Sequence, residues 1–136
     1  MFKIEVEVTE DVFEPPYYHV HHGEMLRYLE RSRCEYLSAV GFPLSYFIDQ
    51  GLLLVVSAIE VKYKREVKEG LHLVTVENPQ MLDKRRVVVS QRIINPKGKD
   101  AVVAKVEFMC LSSQLKRAIA ISTDFEEAFL KGVAES

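Results

Sequence analysis

Three histidines close to residue 20 are the side chains in this sequence best suited to chemistry. His19, His21 and His22 follow three acidic residues of the same stretch, Glu10, Asp11 and Glu14. Imidazole titrates near neutral pH and can act as a general base or bind a metal ion. A carboxylate can activate a water molecule or attack a carbonyl carbon directly. The stretch therefore predicts a site that moves protons, although the histidines could also simply cap and pack the start of a helix.

The sequence does not predict a metal site. Structural and catalytic zinc needs three or four converging ligands, and no other His or Cys lies in a ligand-like motif. Cys34 and Cys110 are the two cysteines, and they do not form a C-x-x-C pair. We interpret both as reduced, small hydrophobic residues without a catalytic role. His72 stands alone in a predicted strand, and we expect it to be structural.

The composition indicates one globular domain over residues 1–136. A formal net charge of −2 gives no overall attraction to nucleic acid or to an anionic membrane surface. The longest apolar run, residues 51–59, is too short to cross a bilayer. No signal peptide precedes the first residues, so we predict a cytoplasmic protein that binds neither membrane nor nucleic acid.

One long amphipathic helix is predicted to begin at His21 or His22 and to end at Val40. Its apolar side chains recur at helical spacing and continue across the small Ser32. Gly41 supplies a left-handed cap, and Pro43 prevents the helix from continuing. The apolar stripe consists of Met25, Leu26, Leu29, Tyr36, Leu37 and Val40.

The rest of the chain predicts an antiparallel sheet. Residues 2–8 alternate between apolar and charged, which is typical of a strand with one buried face. Residues 9–18 form a loop, because Pro15 and Pro16 suit neither a helix nor a central strand. Further strands are predicted at 52–63, 71–76, 85–94, 101–111 and 118–121, followed by a last helix with Thr123 and Glu126 as its capping box. Ser57, Ser90 and Gln91 on these strands are candidates to line a pocket, although polar strand residues usually face water.

Residues 18–33 resemble the start of the central helix in the 4-hydroxybenzoyl-CoA thioesterase family and its bacterial acyl-CoA thioesterase relatives. The family pattern is roughly D-x-D-x-x-G-H/V-V-x-H/N-x-x-Y-L-R-Y-x-E-x-A-R, and the likeness extends to residues 55–65 and 104–117. The resemblance implies the hotdog fold of the α+β class, a long central helix wrapped by a five- or six-stranded antiparallel sheet. It also implies a homodimer whose sheets join edge to edge, often paired into a homotetramer.

The same resemblance implies hydrolysis of an acyl-CoA thioester, with coenzyme A as part of the substrate and no other cofactor. The His22 N–H matches the amide that polarises the thioester carbonyl at the helix N-terminus. The position of the family's catalytic Asp is occupied by Pro15, so Glu14 is the nearest candidate for the base or nucleophile. His19 matches the histidine of the family's G-H-V motif and is the candidate to assist.

The resemblance further implies a substrate-binding set on the helix start and on basic strand ends. These residues are Gly23, Tyr63, Lys64, Arg65 and Arg117, of which the basic ones could equally form a solvated face. Two functions stay open. The first is acyl-CoA hydrolysis; the second is binding of acyl-CoA or an acyl carrier without cleavage, which Pro15 in place of Asp favours.

Overall fold

A six-stranded antiparallel sheet packs against one long helix. The computed structural model describes residues 1–14 and 19–132. In chain order the elements are β1 (Phe2–Val8), a 3-10 helix (Glu10–Val12), β2 (Phe13–Glu14), β3 (His19–Val20), α1 (His22–Ala39), α2 (Leu44–Ile48), β4 (Leu52–Tyr63), β5 (Gly70–Met81), β6 (Arg86–Ile94), β7 (Asp100–Ser112), β8 (Arg117–Ala118) and α3 (Thr123–Lys131). Strands β1, β5, β6, β7 and β4 lie side by side in that order, and β8 adds to β7. This arrangement confirms the predicted hotdog fold.

Helix α1 forms where the apolar stripe predicted it. Leu29 is completely buried, and its neighbours on the stripe face the sheet. Ser32 is also completely buried, and its hydroxyl donates to the Val74 carbonyl of β5 at 3.0 Å. The helix ends before Gly41, whose φ of +93° lies in the left-handed region that glycine accepts without strain. The helix is thus held against β1, β5 and β6 by both apolar packing and a hydrogen bond.

Strand β4 forms one edge of the sheet. It pairs with β7 along its length, and its register shifts between Val56 and Ala58. In the single chain the strand carries exposed apolar side chains, including Leu53, Val56 and Ile59. A long strand with an unpaired edge and apolar side chains is a surface on which another strand can add.

Three details of the secondary structure differ from the sequence prediction. The stretch predicted as loop from Thr9 contains a 3-10 helix and the short strand β2. Strand β5 continues to Met81, five residues beyond the predicted end, because a bulge after Glu77 lets the strand bend and pair again. The last strand is Arg117–Ala118 rather than 118–121. Residues 15–18 of the predicted loop lie outside the described residues.

The two shorter helices also differ from the prediction. Helix α2 was not predicted, because five residues are too few for a helical period; it exists because Phe47 is buried against Phe125, with ring centroids 5.1 Å apart. Helix α3 is capped by Ser122, whose hydroxyl accepts from the Phe125 N–H at 3.2 Å, so the prediction of Thr123 as the cap was wrong by one residue. Within the described residues, no helix is both long enough and apolar enough to cross a membrane.

Candidate active site

The start of α1 leaves one backbone amide available. His21 is the N-cap, and its ring Nδ1 accepts a hydrogen bond from the Gly23 N–H at 3.0 Å. The Glu24 and Met25 N–H groups both donate to the His21 carbonyl, at 3.0 and 3.3 Å. Among the described residues, no acceptor pairs with the His22 N–H. The first turn therefore presents the His22 amide, at the positive end of the helix dipole, to a ligand.

Gly23 allows the capping ring to approach the helix closely. A Cβ at this position would lie 3.2 Å from His21 Nδ1, which is closer than such contacts normally are. The Gly23 N–H is already engaged by the same nitrogen. Since Nδ1 acts as an acceptor, the neutral His21 ring carries its proton on Nε2. Gly23 thus shapes the helix start, and its contact with substrate stays a prediction.

A small hairpin places Glu14 and His19 opposite each other at the entry to α1. Strands β2 and β3 pair antiparallel, with Glu14 in register with His19. Val20 is completely buried, and its N–H donates to the Val67 carbonyl at 2.9 Å. This bond ties the helix start to the segment after β4. Pro15, at the position of the family's catalytic Asp, lies outside the described residues.

The end of β4 brings Tyr63, a predicted substrate-binding residue, to the helix start, and two more predicted residues follow it in the chain. The rings of His22 and Tyr63 meet edge to face, with centroids 6.4 Å apart. The Lys64 and Arg65 N–H groups both donate to the Ala101 carbonyl, at 2.8 and 3.1 Å. The Arg65 guanidinium donates to the Asp100 carbonyl at 2.6 Å and is exposed. Two cationic residues therefore directly follow the tyrosine whose ring meets His22.

Arg117 lies at the other end of the sheet. It pairs with Ser112 of β7, whereas Tyr63 pairs with Val102 of the same strand. Ten residues of extended strand separate these two positions, which corresponds to about 33 Å. Within one chain, Arg117 and the Tyr63 end of β4 cannot contact the same phosphate group.

Tyr28 and Asp11 lie near the helix start, and the sequence did not predict that they interact. Tyr28 is buried, and burial raises the pKa of its phenol, with further contributions from the negative charges of Glu24 and Asp11. The negative charge of Asp11 therefore acts on the residue one and a half turns below the His22 amide. Asp11 also accepts a hydrogen bond from the Thr9 hydroxyl. No local pattern in the sequence indicates this proximity, because the two residues are 17 positions apart in the chain.

The described side chains form no cluster of three or more His, Cys, Asp or Glu residues that could hold a metal ion. The rings of His21 and His22 do lie together, with centroids 4.0 Å apart, but His21 uses its Nδ1 in the cap. His72 is completely enclosed, and its Nδ1 lies 3.0 Å from the Gly70 carbonyl, as expected for a structural histidine. Both cysteines are free thiols.

Comparison with known proteins agrees with the fold. The model of the thioesterase-like superfamily matches residues 9–129. The chain belongs to this superfamily and has the hotdog fold of its acyl-CoA thioesterases. A 1,4-dihydroxy-2-naphthoyl-CoA hydrolase from Thermosynechococcus vestitus is 24% identical over 117 residues, which cover 85% of this chain and 80% of the relative.

Solved structures with the same fold cover nearly the whole chain. A DHNA-CoA thioesterase from Staphylococcus aureus superposes with a TM-score of 0.80 at 24% identity. The superposition covers 95% of this chain and 88% of the thioesterase chain. A 1,4-dihydroxy-2-naphthoyl-CoA thioesterase from Synechocystis superposes with a TM-score of 0.84 at 14% identity and 94% coverage of each chain. A further Staphylococcus aureus protein, solved in complex with CoA, gives a TM-score of 0.86 at 16% identity, covering 99% of this chain and 87% of its own.

Proposed function

We propose that this protein hydrolyses an acyl-CoA thioester to the free acid and CoA. The observation that carries the proposal is the His22 N–H, which is the one amide of the first turn without an acceptor among the described residues. The His22 ring meets that of Tyr63, which Lys64 and Arg65 follow in the chain, and these residues are exposed. Membership in the thioesterase-like superfamily and the named activities of the relatives support the same reaction class.

In the proposed reaction, the His22 N–H donates to the thioester carbonyl oxygen and stabilises the negative charge that develops there. Glu14 takes a proton from a water molecule, which attacks the carbonyl carbon. The carbon–sulfur bond of the tetrahedral intermediate then breaks, and the proton passes to the CoA thiolate. His19, in register with Glu14 across the hairpin, is the proposed assistant in this proton transfer. Lys64 and Arg65 are proposed to bind CoA phosphates.

We further propose that two copies pair through the β4 edges, because that strand is long and apolar and, within residues 1–14 and 19–132, pairs with a strand on one side only. A two-fold axis through the middle of β4 brings the Arg117 end of one copy toward the Tyr63 end of the other. Arg117 can then contribute to a CoA site that it cannot reach within its own chain. Pairing of such dimers into a tetramer and a cytoplasmic location both stay predictions.

A non-catalytic acyl-CoA or acyl-carrier binding protein is the second candidate. The specific observation in its favour is Pro15, which stands where the family pattern has its catalytic Asp. Both candidates use the same His22 amide and the same basic residues, so geometry alone does not separate them. Release of CoA thiol from a panel of short, long and aromatic acyl-CoAs separates them, because a binding protein releases none.

Replacement of His22 by Pro tests the role of the amide directly. Proline lacks the N–H yet is well accepted at the first position of a helix. His21 already has φ −63° and ψ 143°, which is the conformation required before proline. We expect His22→Pro to lower kcat by about 10²–10³, the usual cost of losing one oxyanion donor.

His22→Ala is the matched control, because it keeps the amide and removes only the imidazole. We expect it to lose much less activity than His22→Pro, and both variants should unfold at similar denaturant concentrations. Equal loss in the two variants would assign the effect to the ring instead of the amide. Full activity in a folded His22→Pro variant would remove the helix N-terminus from the mechanism.

A further inference from the structure

Helix α1 is capped by an imidazole, whereas most helices are capped by a hydroxyl, a carboxylate or a side-chain amide. His21 has φ −63° and ψ 143°, the extended conformation of an N-cap, and its Nδ1 accepts from the Gly23 N–H at 3.0 Å. A neutral imidazole has one acceptor nitrogen, and a protonated imidazole has none. This cap therefore exists only while the His21 ring is neutral.

Gly23 makes room for a cap of this size. A Cβ at position 23 would lie 3.2 Å from His21 Nδ1 and 3.5 Å from His21 Cε1, so a side chain there would press against the ring. Only glycine leaves this space, because every other residue carries a Cβ. The ring and the glycine thus fit each other closely at the first turn of the helix.

The cap also decides which backbone amide is presented to a ligand. The Gly23 N–H is engaged by the ring, and the Glu24 and Met25 N–H groups donate to the His21 carbonyl. On protonation of the ring, the Gly23 N–H loses its acceptor, and a positive charge arises at the positive end of the helix dipole. Both effects destabilise the first turn, and with it the position of the His22 amide.

We propose that His21 is a positioning residue whose neutral ring holds the His22 amide where it can meet the thioester carbonyl, so that protonation of the ring lowers hydrolysis. His21 acts through the helix backbone and not on the substrate. It is exposed, so protons from the solvent can reach the ring, and imidazole titrates near neutral pH. The inference rests on the proposed thioesterase function and adds a control of that site by pH.

Charged and titratable groups of both signs surround the cap. On α1, the His22 ring lies 4.0 Å from the His21 ring, and a charge on it would oppose protonation of His21, whereas Glu24 in the first turn favours protonation. Because these effects oppose each other, the pH at which the ring titrates has to be measured on the ring itself. The other groups at this end of the helix are Tyr63, which meets the His22 ring, Lys64 and Arg65, which follow it, the hairpin residues Glu14 and His19, and Asp11, whose charge acts on Tyr28.

Nuclear magnetic resonance measures the cap without any substrate. The chain has four histidines and six glycines, so selective ¹⁵N labelling of these two residue types gives few signals to assign. We expect the His21 ring at about pH 8 to carry its proton on Nε2, and the Gly23 amide signal to move with the titration of that ring. A His21 ring protonated on Nδ1 at this pH, or a Gly23 signal that ignores the titration, overturns the proposal.

Substitution of His21 by Asn tests the link to catalysis. Asn is a strong N-cap that accepts from the same amide and does not titrate. We expect the wild-type kcat to fall on the acid side at the pH where the His21 ring titrates, and His21→Asn to lack this step. An acid-side profile of His21→Asn that is identical to the wild-type profile overturns the proposal.

His21→Ala removes the cap at every pH. We expect kcat to fall by about 10- to 100-fold at about pH 8, less than the loss of a whole oxyanion donor, with a smaller change in KM. His21→Asn should restore most of this loss, which a role of the imidazole in proton transfer does not allow. If His21→Ala does not fold, the comparison of wild type with His21→Asn still decides.

His22→Ala is the control for the neighbouring imidazole, because it keeps both the His21–Gly23 hydrogen bond and the amide of residue 22. The acid-side step should remain in this variant, although its pH can shift once the ring 4.0 Å away is absent. A step that disappears in His22→Ala and remains in His21→Asn belongs to His22 and overturns the proposal.

A binding measurement separates failure of this inference from failure of the proposed function. If no ester is hydrolysed at any pH, hydrolysis is refuted, and the positioning is tested with an acyl-CoA analogue that keeps the carbonyl and carries a methylene in place of the sulfur. Its Kd should weaken on acidification in the wild type and stay constant in His21→Asn, and equal behaviour of the two proteins overturns the positioning. Conversely, hydrolysis with the same pH dependence in both proteins refutes only the role of His21.

Discussion

At the residue scale, the proposed hydrolysis depends most on the carboxylate that activates water. Glu14 is in register with His19 at the entry to α1, and its side chain is one methylene longer than that of the Asp in the family pattern. The longer side chain can offset a backbone shifted by Pro15. Asp11 is the next acidic residue, and its charge acts on Tyr28 below the His22 amide.

Glu14→Gln should therefore lower kcat by about 10²–10⁴ and leave KM nearly unchanged, because the amide keeps the shape but cannot accept the proton. The measurement is steady-state release of CoA thiol from the best substrate of the panel. His19→Ala should show a smaller loss if the histidine only assists.

Asp11→Asn is the matched control for Glu14→Gln. It removes the other nearby carboxylate with an equally conservative change, and we expect an effect below tenfold, well under the range for a lost general base. Full activity of Glu14→Gln together with a large loss in Asp11→Asn would transfer the role to Asp11.

At the scale of elements, the stability of the fold depends on the contact of α1 with the sheet. Leu29 is completely buried in that contact. Leu29→Ala should lower the free energy of unfolding by about 2–5 kcal/mol, from lost apolar burial and the cavity that remains.

Denaturant titration measures this change, with Leu115→Ala as the control. Leu115 is 56% exposed in the turn before β8, so its truncation should change the free energy by less than about 0.5 kcal/mol. A loss of that small size in Leu29→Ala would place Leu29 outside the core.

A second prediction at the scale of elements concerns the stability of the fold at low pH. Arg92 of β6 donates to both carboxylate oxygens of Glu77 on β5, at 2.7 and 2.8 Å, and to Asp100 at the start of β7. The hydrogen bond from Arg92 lowers the pKa of Glu77, and the Thr75 hydroxyl adds to this against the effect of burial. Because the folded-state pKa is depressed, this stabilisation is present above the pKa of the unfolded chain, about 4.3, and is lost as the pH falls through the folded value.

Glu77→Gln should thus lower the free energy of unfolding by about 1–3 kcal/mol at pH 7, and the gap from wild type should close as the pH falls below about 4. Denaturant titration across this pH range is the measurement. Glu60→Gln is the control, because the Glu60–Lys62 pair is exposed and 3.9 Å long, and such pairs contribute little. A constant gap at every pH would show that the loss comes from packing and not from the charge.

At the scale of the whole molecule, the exposed β4 edge predicts how copies assemble. Ile59 is 43% exposed at that edge in the single chain. Ile59→Lys should shift the protein from dimer toward monomer, because a charged side chain at an edge strand opposes edge-to-edge pairing. Light scattering coupled to size exclusion measures the mass.

Leu130→Lys is the control for Ile59→Lys, since Leu130 is 41% exposed on α3, away from the β4 edge. We expect this variant to keep the wild-type mass. If a folded Ile59→Lys variant also keeps the wild-type mass, the subunits associate through another surface. The β4 pairing would then not explain how Arg117 reaches the proposed CoA site.

The sequence by itself was sufficient to predict the main helix and the main strands. Alternation in residues 2–8 predicted β1 to the residue, the apolar stripe predicted α1, and the run rich in Val, Ile and Leu at residues 52–63 predicted β4 to the residue. These features follow from periodicity and from turn residues, which act over a few positions along the chain. The resemblance on residues 18–33 was likewise local, and it identified His22 as the residue at the helix start.

Only the tertiary structure decided which distant residues meet. Arg33 and Gln91 are 58 positions apart, and their hydrogen bond exists because strand register places β6 under the third turn of α1. Register also separates Arg117 from Tyr63 on the same sheet. Helix α2 and the Ser122 cap depend on the packing of Phe47 and Phe125, which no local pattern encodes. The sequence could therefore predict the helix start that is proposed to bind the thioester, whereas the contact between Arg33 and Gln91 required the packed sheet.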